Sequence, residues 1–288
     1  MNVPNKDGVT VPRILVFDSG VGGLSVSACI RQRLPFAEQV YVADNAGFPY
    51  GDQPESVVTR RCQRLISEAL RMFPCDVIVV ACNTASTVVL PDLRSMTSIP
   101  VVGVVPAVKP AAACSQNRRI GVLATPATIR RPYLEELIRE FAADCQIERI
   151  GHPQLVRWIE DFVAGHELPQ PLLCEALQPF RQAGVDTVVL GCTHYPLIRD
   201  RLQACLPDVR FWVDSGDAIA RRTEWLLGQL GKSAVASRVV PDYSVRAALF
   251  SGEVPSGLRD YMEQSGLAPD EIRGRWPGDE GVTTAGSA

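Results

Sequence analysis

VIVVACNTAS, residues 77 to 86, runs an apolar stretch rich in β-branched residues straight into a cysteine, then into Asn83, Thr84, Ala85 and Ser86. Apolar residues in unbroken succession describe a strand buried on both faces, which is how strands of a parallel sheet read. VVLGCTHYP, residues 188 to 196, repeats the arrangement around Cys192, at an offset of 110 from Cys82. Short apolar runs of the same kind recur as ILVF at 14, VYVA at 40, VVGV at 101, IGVL at 120 and FWV at 211. Between them lie segments with helical spacing. In ESVVTRRCQRLISEALRMF, residues 55 to 73, Val58, Cys62, Leu65, Ile66, Ala69, Leu70 and Phe73 fall on one stripe. Strand and helix alternate, so the predicted class is α/β with mainly parallel sheets flanked by helices.

The chain also resembles itself. RILVFDSGVGG begins at Arg13 and RIGVLATPATI at Arg119, an offset of 106. In each half a helix leads through an aspartate, Asp76 or Asp186, into a strand that ends in cysteine. This spacing predicts two similar lobes in a pseudo-twofold relation, with the site between them. VPAVKPAAA from residue 105 reads as a linker between the halves. The segment from about 268 has no apolar period and reads as a free tail.

With 288 residues and 46% apolar content, the chain reads as a soluble globular protein of about two domains. A net charge of -3 and a pI near 5.7, without a basic stripe, exclude nucleic acid and anionic membranes as expected partners. The first residues do not read as a signal peptide and no apolar run approaches about 18 residues, so the expected location is the cytoplasm. Nine cysteines, at 29, 62, 75, 82, 114, 145, 174, 192 and 205, are odd in number and show no CxxC spacing. They are expected to be free thiols in a reducing compartment. His152, His166 and His194 stand far apart, and no metal site is expected. The glycines of GVGG miss the dinucleotide fingerprint and no phosphate-loop motif occurs.

In open α/β sheets ligands bind beyond the carboxyl ends of the strands. FDSGVGG (17–23), ACNTAS (81–86), ATPAT (124–128) and GCTHYP (191–196) all sit at such ends and are rich in hydroxyls and backbone amides. They describe a pocket for carboxylates. A cysteine behind a strand commonly just fills space. Two at equivalent places, each followed by small polar residues, read instead as a facing pair of thiols. A thiolate is a usable base, and two thiols on opposite sides of a stereocentre can remove a proton from one face and return one to the other. Asp18 and Ser19 read either as helix caps or as ligand contacts. His194 reads as a surface histidine or as a tuner of Cys192, Tyr50 and Gly51 as a turn or as pocket backbone, and Glu160 as a solvated helical carboxylate.

The motifs DSGVGGLSV, DNAGFPYG, ACNTAS, GVVPAVKPA and LGCTHYPLI, in that order, resemble the cofactor-independent glutamate racemases of bacterial cell-wall synthesis, over about residues 13 to 265. The resemblance implies racemisation of glutamate with no cofactor, supplying D-glutamate for peptidoglycan. It implies Cys82 as the base toward D-glutamate and Cys192 as the base toward L-glutamate. Asp18, His194 and Glu160 would be helpers, and Asp18, Ser19, Tyr50, Gly51, Asn83, Thr84, Thr193 and His194 substrate contacts. It also implies one lobe of residues 13–104 and 214–265, a second of 105–213, flexible termini at 1–12 and 268–288, and a homodimer as a common assembly. Around Glu160 the chain reads HPQLVRWIE where the family has a proline-rich run, and Gly47 stands where arginine is common. Three rival readings are an aspartate racemase, a cysteine hydrolase using Cys192 and His194, and a carboxylate sensor without turnover. The CTH after the second cysteine favours glutamate over aspartate.

Overall fold

Valine and isoleucine, crowded at Cβ, fit a pleated surface packed on both sides, and the apolar runs form strands in the computed structural model, which describes residues 11–232 and 244–278. The strands are β1 (Arg13–Asp18), β2 (Glu38–Ala43), β3 (Val77–Val80), β4 (Val101–Gly103), β5 (Arg119–Ala124), β6 (Gln146–Gly151), β7 (Thr187–Leu190), β8 (Phe211–Val213), β9 (Val245–Phe250) and β10 (Pro269–Arg273). They make a six-stranded sheet in the order β10-β9-β2-β1-β3-β4 and a four-stranded sheet in the order β6-β5-β7-β8. Every pairing is parallel. The order β2-β1-β3-β4 in one sheet is the order β6-β5-β7-β8 in the other, so the internal resemblance of the sequence is a repeated topology.

Both faces of each sheet are covered. Ile14, Val16, Tyr41 and Val79 face one core of the first sheet, while Leu15, Phe17, Ile78 and Val80 face the other. Helix α1 (Leu24–Arg33) packs on the first core together with the later helix Gly216–Gln229. Helix α2 (Glu55–Met72) buries Val58, Cys62, Leu65, Ile66 and Ala69 in the second, with helix α3 (Asn83–Met96) beside it. A Val, Leu or Ile buried in this way stabilises the fold by about 1.5–3 kcal/mol. The far ends of the strands are stapled alike. Asp76 Oδ2 accepts the Arg13 amide at 2.9 Å, and Asp186 Oδ2 accepts the Gln116 and Asn117 amides at 2.7 and 2.8 Å. The lobes also share apolar contacts, since Val163 joins the first core and Phe48 packs into the core of the second sheet.

Four expectations are corrected. The tail from 268 is not free along its length. Residues Pro269–Arg273 form β10 parallel to β9, and Trp276 is 6% exposed in the core, with its amide donating to the Phe250 carbonyl at 2.9 Å. The sequence PDEIR hides this strand because an edge strand is mostly solvated, and an open partner edge decides its pairing. Residues 1–10 and 279–288 lie outside the described residues, while Pro12 is buried and its carbonyl accepts the Glu38 amide at 3.0 Å. The expected linker contains the helix Val108–Cys114, whose Val108, Ala111 and Ala112 pack under the second sheet. Not all cysteines are free, because Cys174 and Cys205 form a disulfide. The helices Gln170–Ala176 and Arg199–Cys205 bring their Cα atoms to 4.9 Å, within bridging range, across 31 residues of sequence that carry no spacing signal. Finally, β6 and β9 have no counterpart among the apolar runs, β6 being a charged edge and β9 rich in alanine. Among the described residues no helix is long and apolar enough to cross a membrane.

Burial of Trp276 against the first sheet yields a test. Trp276→Ala should lower the free energy of unfolding by about 3 kcal/mol in urea titration, whereas a free tail would leave it unchanged.

Candidate active site

The carboxyl ends of β1, β3 and β7 open on one cleft, and the first residues beyond them carry the chemistry. Cys82 follows β3 and caps α3, its Sγ accepting the Ala85 amide at 3.4 Å and lying 3.6 Å from Ser19 Oγ. Cys192 follows β7, with Sγ 3.6 Å from His194 Nδ1. Both cysteines line the same cleft, at 6% and 7% exposure. Ser19, Tyr50, Gly51, Asn83 and Thr84 line it from the first lobe, and Thr193 and His194 from the second. Asn83 Oδ1 is buried there without a hydrogen-bond partner among the described residues, an acceptor left open on the cleft wall.

Two carboxylates tie the lobes together behind this wall. Asp18 Oδ1 accepts the Gly20 amide at 2.8 Å, and its Oδ2 accepts Thr193 Oγ1 at 3.0 Å from the other lobe. Glu160 Oε1 accepts the Val21 amide at 2.8 Å and lies 2.7 Å from His194 Nε2. The helix Leu155–Val163 thus presents Glu160 to the site although its surrounding sequence departs from the family pattern. Such closeness requires glycine. A Cβ on Gly20 would stand 2.0 Å from Glu160 Oε1, and one on Gly22 would stand 2.3 Å from His194 Nδ1.

The electrostatics of the two sulfurs differ. Burial, then the neighbouring Asp18, push the Cys82 thiol well above its ordinary range, against the opposing hydrogen bonds from Ala85 and Ser19. Burial pushes Asp18 itself up to about 7, although the charge of His194 and the Gly20 amide favour its ionised form. Burial disfavours the charged form of His194, but the hydrogen bonds to Cys192 and Glu160 outweigh it and raise the imidazole well above its usual value. An imidazolium donates in both directions, Nδ1–H to Cys192 and Nε2–H to Glu160. Asp18 therefore disfavours a thiolate on Cys82, while on the other side of the cleft the His194 ring lies within hydrogen-bond reach of Cys192.

The structure thus brings together every residue singled out from sequence. For Tyr50 it is the main chain that remains for the cleft, since the hydroxyl is bonded to Asp44 Oδ2 at 2.5 Å. Sequence reasoning missed Phe48, Pro49 and Val156 and named Thr125 only within the ATPAT motif, and all four line the cleft. The offset of 106 carries Ser19 onto Thr125, so the internal repeat held that signal. The Phe48 ring lies 5.7 Å from the His194 ring, tilted by 41°, a contact between lobes that no local pattern announces. Among the described residues no group of three or more His, Cys, Asp or Glu is placed to hold a metal ion.

Two measurements probe these charges. An Asp18 whose carboxyl rises from 3.8 to about 7 on folding lends stability that is complete below the unfolded value and is lost as pH climbs toward 7. Asp18→Asn keeps the shape without the charge, its oxygen accepting the Gly20 amide and its NH2 donating to the Thr193 hydroxyl. Its stability relative to wild type should therefore grow between pH 4 and 7 by on the order of 4 kcal/mol, and a constant difference across that window would contradict the assignment. Glu160→Gln should let His194 lose its proton at lower pH, visible in the titration of its ring nitrogens by NMR.

The chain is similar to known proteins. The family model described as Asp/Glu/Hydantoin racemase matches residues 24–223. The glutamate racemase of Shewanella loihica is 48% identical over 225 residues, covering 76% of this chain and 85% of that protein. That of Sodalis glossinidius is 49% identical over 218 residues, 75% of each chain. The crystal structure of Escherichia coli glutamate racemase, in complex with L-glutamate and the activator UDP-MurNAc-ala, superposes with a TM-score of 0.81 at 41% identity, covering 92% of this chain and 98% of that one. Two parallel sheets with their strand ends meeting at paired thiols, and a match across most of the length, place this chain in the Asp/Glu/hydantoin racemase family, among the glutamate racemases.

Proposed function

We propose that this chain interconverts L- and D-glutamate without a cofactor, with Cys82 and Cys192 as paired acid and base on opposite sides of the substrate. One observation carries the reading: two cysteines at the ends of equivalent strands in repeated sheets line a single cleft. The hydrogen on Cα is weakly acidic, and inversion requires its removal from one face and replacement on the other. With L-glutamate bound, the Cys192 thiolate takes the Cα proton and the Cys82 thiol gives its own to the opposite face, leaving Cys192 as thiol and Cys82 as thiolate. D-glutamate runs the same steps in reverse.

The neighbours fit these roles. The His194 imidazolium, held by Glu160, stabilises charge on Cys192 before the transfer. Asp18, next to Cys82, keeps that sulfur protonated until it delivers. The hydroxyls of Ser19, Thr84 and Thr193, the Asn83 amide and the main chain of Tyr50 and Gly51 are the proposed substrate contacts, and the N-terminus of α3 beside Cys82 suits a carboxylate. The proposed setting is the cytoplasm, with a small molecule rather than nucleic acid or membrane as partner, a homodimer as the assembly, and D-glutamate destined for peptidoglycan.

In deuterated water, product glutamate should carry deuterium at Cα while unreacted substrate stays protiated early in the reaction. Cys82→Ser and Cys192→Ser should each reduce turnover by at least about 10³-fold, and because racemisation has an equilibrium constant of one, kcat/KM falls equally in both directions. A cysteine hydrolase would lose activity only with Cys192, and a sensor would bind glutamate without exchanging its Cα proton. Turnover of aspartate in preference to glutamate would reassign the substrate.

A further inference from the structure

The loop between β2 and α2 supplies Phe48, Pro49, Tyr50 and Gly51 to the cleft, and a buried carboxylate grips its root. Asp44 is wholly buried and receives Arg61 through both oxygens, Nε to Oδ2 and Nη2 to Oδ1, each at 2.6 Å. Tyr50 donates its hydroxyl to Oδ2 and Ser251 donates its own to Oδ1, each at 2.5 Å. The Asp44 carbonyl accepts the Gly47 amide at 3.0 Å. Next to it, Asn45 accepts the Gly252 amide at 2.7 Å and donates to the Glu253 carbonyl at 2.6 Å, and the Ala46 amide donates to Ser251 Oγ at 3.0 Å. The anchor therefore comes from α2 on one side and from the end of β9 on the other. Burial alone would raise the Asp44 carboxyl, but the hydrogen bonds from Arg61, Ser251 and Tyr50, with the charge of Arg61, hold it below the ordinary range.

Resting on the glutamate reading above, we propose that Asp44 is a positioning residue that sets the Tyr50–Gly51 wall of the substrate site, and that Arg61 is the cation holding it in place, matched to glycine at position 47. The match is geometric. A Cβ on Gly47 would stand 2.6 Å from Arg61 Nε and 2.8 Å from Asp44 Oδ2, so the guanidinium lies across the bare main chain of Gly47. Position 47 thus aims at the same carboxylate that Arg61 occupies, and a long cation can serve Asp44 from one position or the other, not from both. Among the described residues no other side-chain partner of Asp44 is charged, so loss of Arg61 leaves a buried carboxylate held by hydroxyls, a state that relaxes by moving the loop.

The experiment compares glutamate kinetics with hydrogen exchange of the 45–52 segment. Arg61→Ala should raise KM about tenfold while kcat changes less than about threefold, with faster exchange in 45–52. Gly47→Arg with Arg61 present should be impaired, because two guanidiniums compete for one carboxylate. The double variant Gly47→Arg/Arg61→Ala should recover both the KM and the protection. Arg61→Lys, which keeps the charge without the two-pronged geometry, should fall between wild type and Arg61→Ala, and it carries the test if Arg61→Ala does not fold. An unchanged KM and unchanged exchange in the Arg61 variants, or a double variant no better than either single one, would overturn the proposal. Absence of glutamate turnover by the wild type counts against the functional reading alone, and the exchange data still judge the anchor.

Discussion

The site depends on a contact between main chain and side chain across two lobes: the turn after β1, bare of side chains at Gly20 and Gly22, lies flat against Glu160 and His194. Only this closeness lets the Val21 amide reach Glu160 and Thr193 reach Asp18. Two parallel sheets that meet at their carboxyl ends would otherwise leave a wide crevice between them. Here the crevice narrows to a cleft in which both cysteines are more than nine-tenths buried.

Burial on that scale raises the question of how any thiol there becomes a base, since a low-dielectric setting opposes charge on sulfur. The lobes answer it unequally. The first places a carboxylate, Asp18, near its sulfur, and the second places an imidazole braced by Glu160. Asp18 near one thiol and the Glu160-braced imidazole beside the other give the two sides of the cleft different chemistry, and the proposed inversion rests on that difference. The repeated topology makes the positions equivalent, and the differing neighbours make them complementary.

The first lobe departs from the second by two strands, β9 and β10, added beyond β2. Their effect reaches the cleft. The end of β9 carries Ser251 to Asp44, and Asp44 holds the hydroxyl of Tyr50, so the edge extension supports the loop that walls the site. Trp276, beyond β10, closes the same core against α2 through Met72, its indole Nε1 lying 3.4 Å from the sulfur. The segment with the weakest hydropathic signal is thereby part of the scaffold of the site.

Local pattern determined the α/β class, the duplication and both cysteines, because buried parallel strands are continuous apolar runs and a strand end followed by small polar residues has few uses within a core. It placed Ser19, Asn83, Thr84 and Thr193 at the strand ends as neighbours in sequence, with Ser19 open between helix cap and pocket contact. Only tertiary structure decided the rest. Glu160 sits 34 residues from His194 on a helix whose own spacing reads as solvated, and it reaches the His194 ring through the packing of that helix. The Cys174–Cys205 bridge, the pairing of β10 and the grip of Arg61 on Asp44 likewise join groups remote in sequence. Periodicity records how a residue meets its own element, whereas charge partners, edge strands and bridges depend on which elements are brought side by side, and that is settled only when the chain closes on itself.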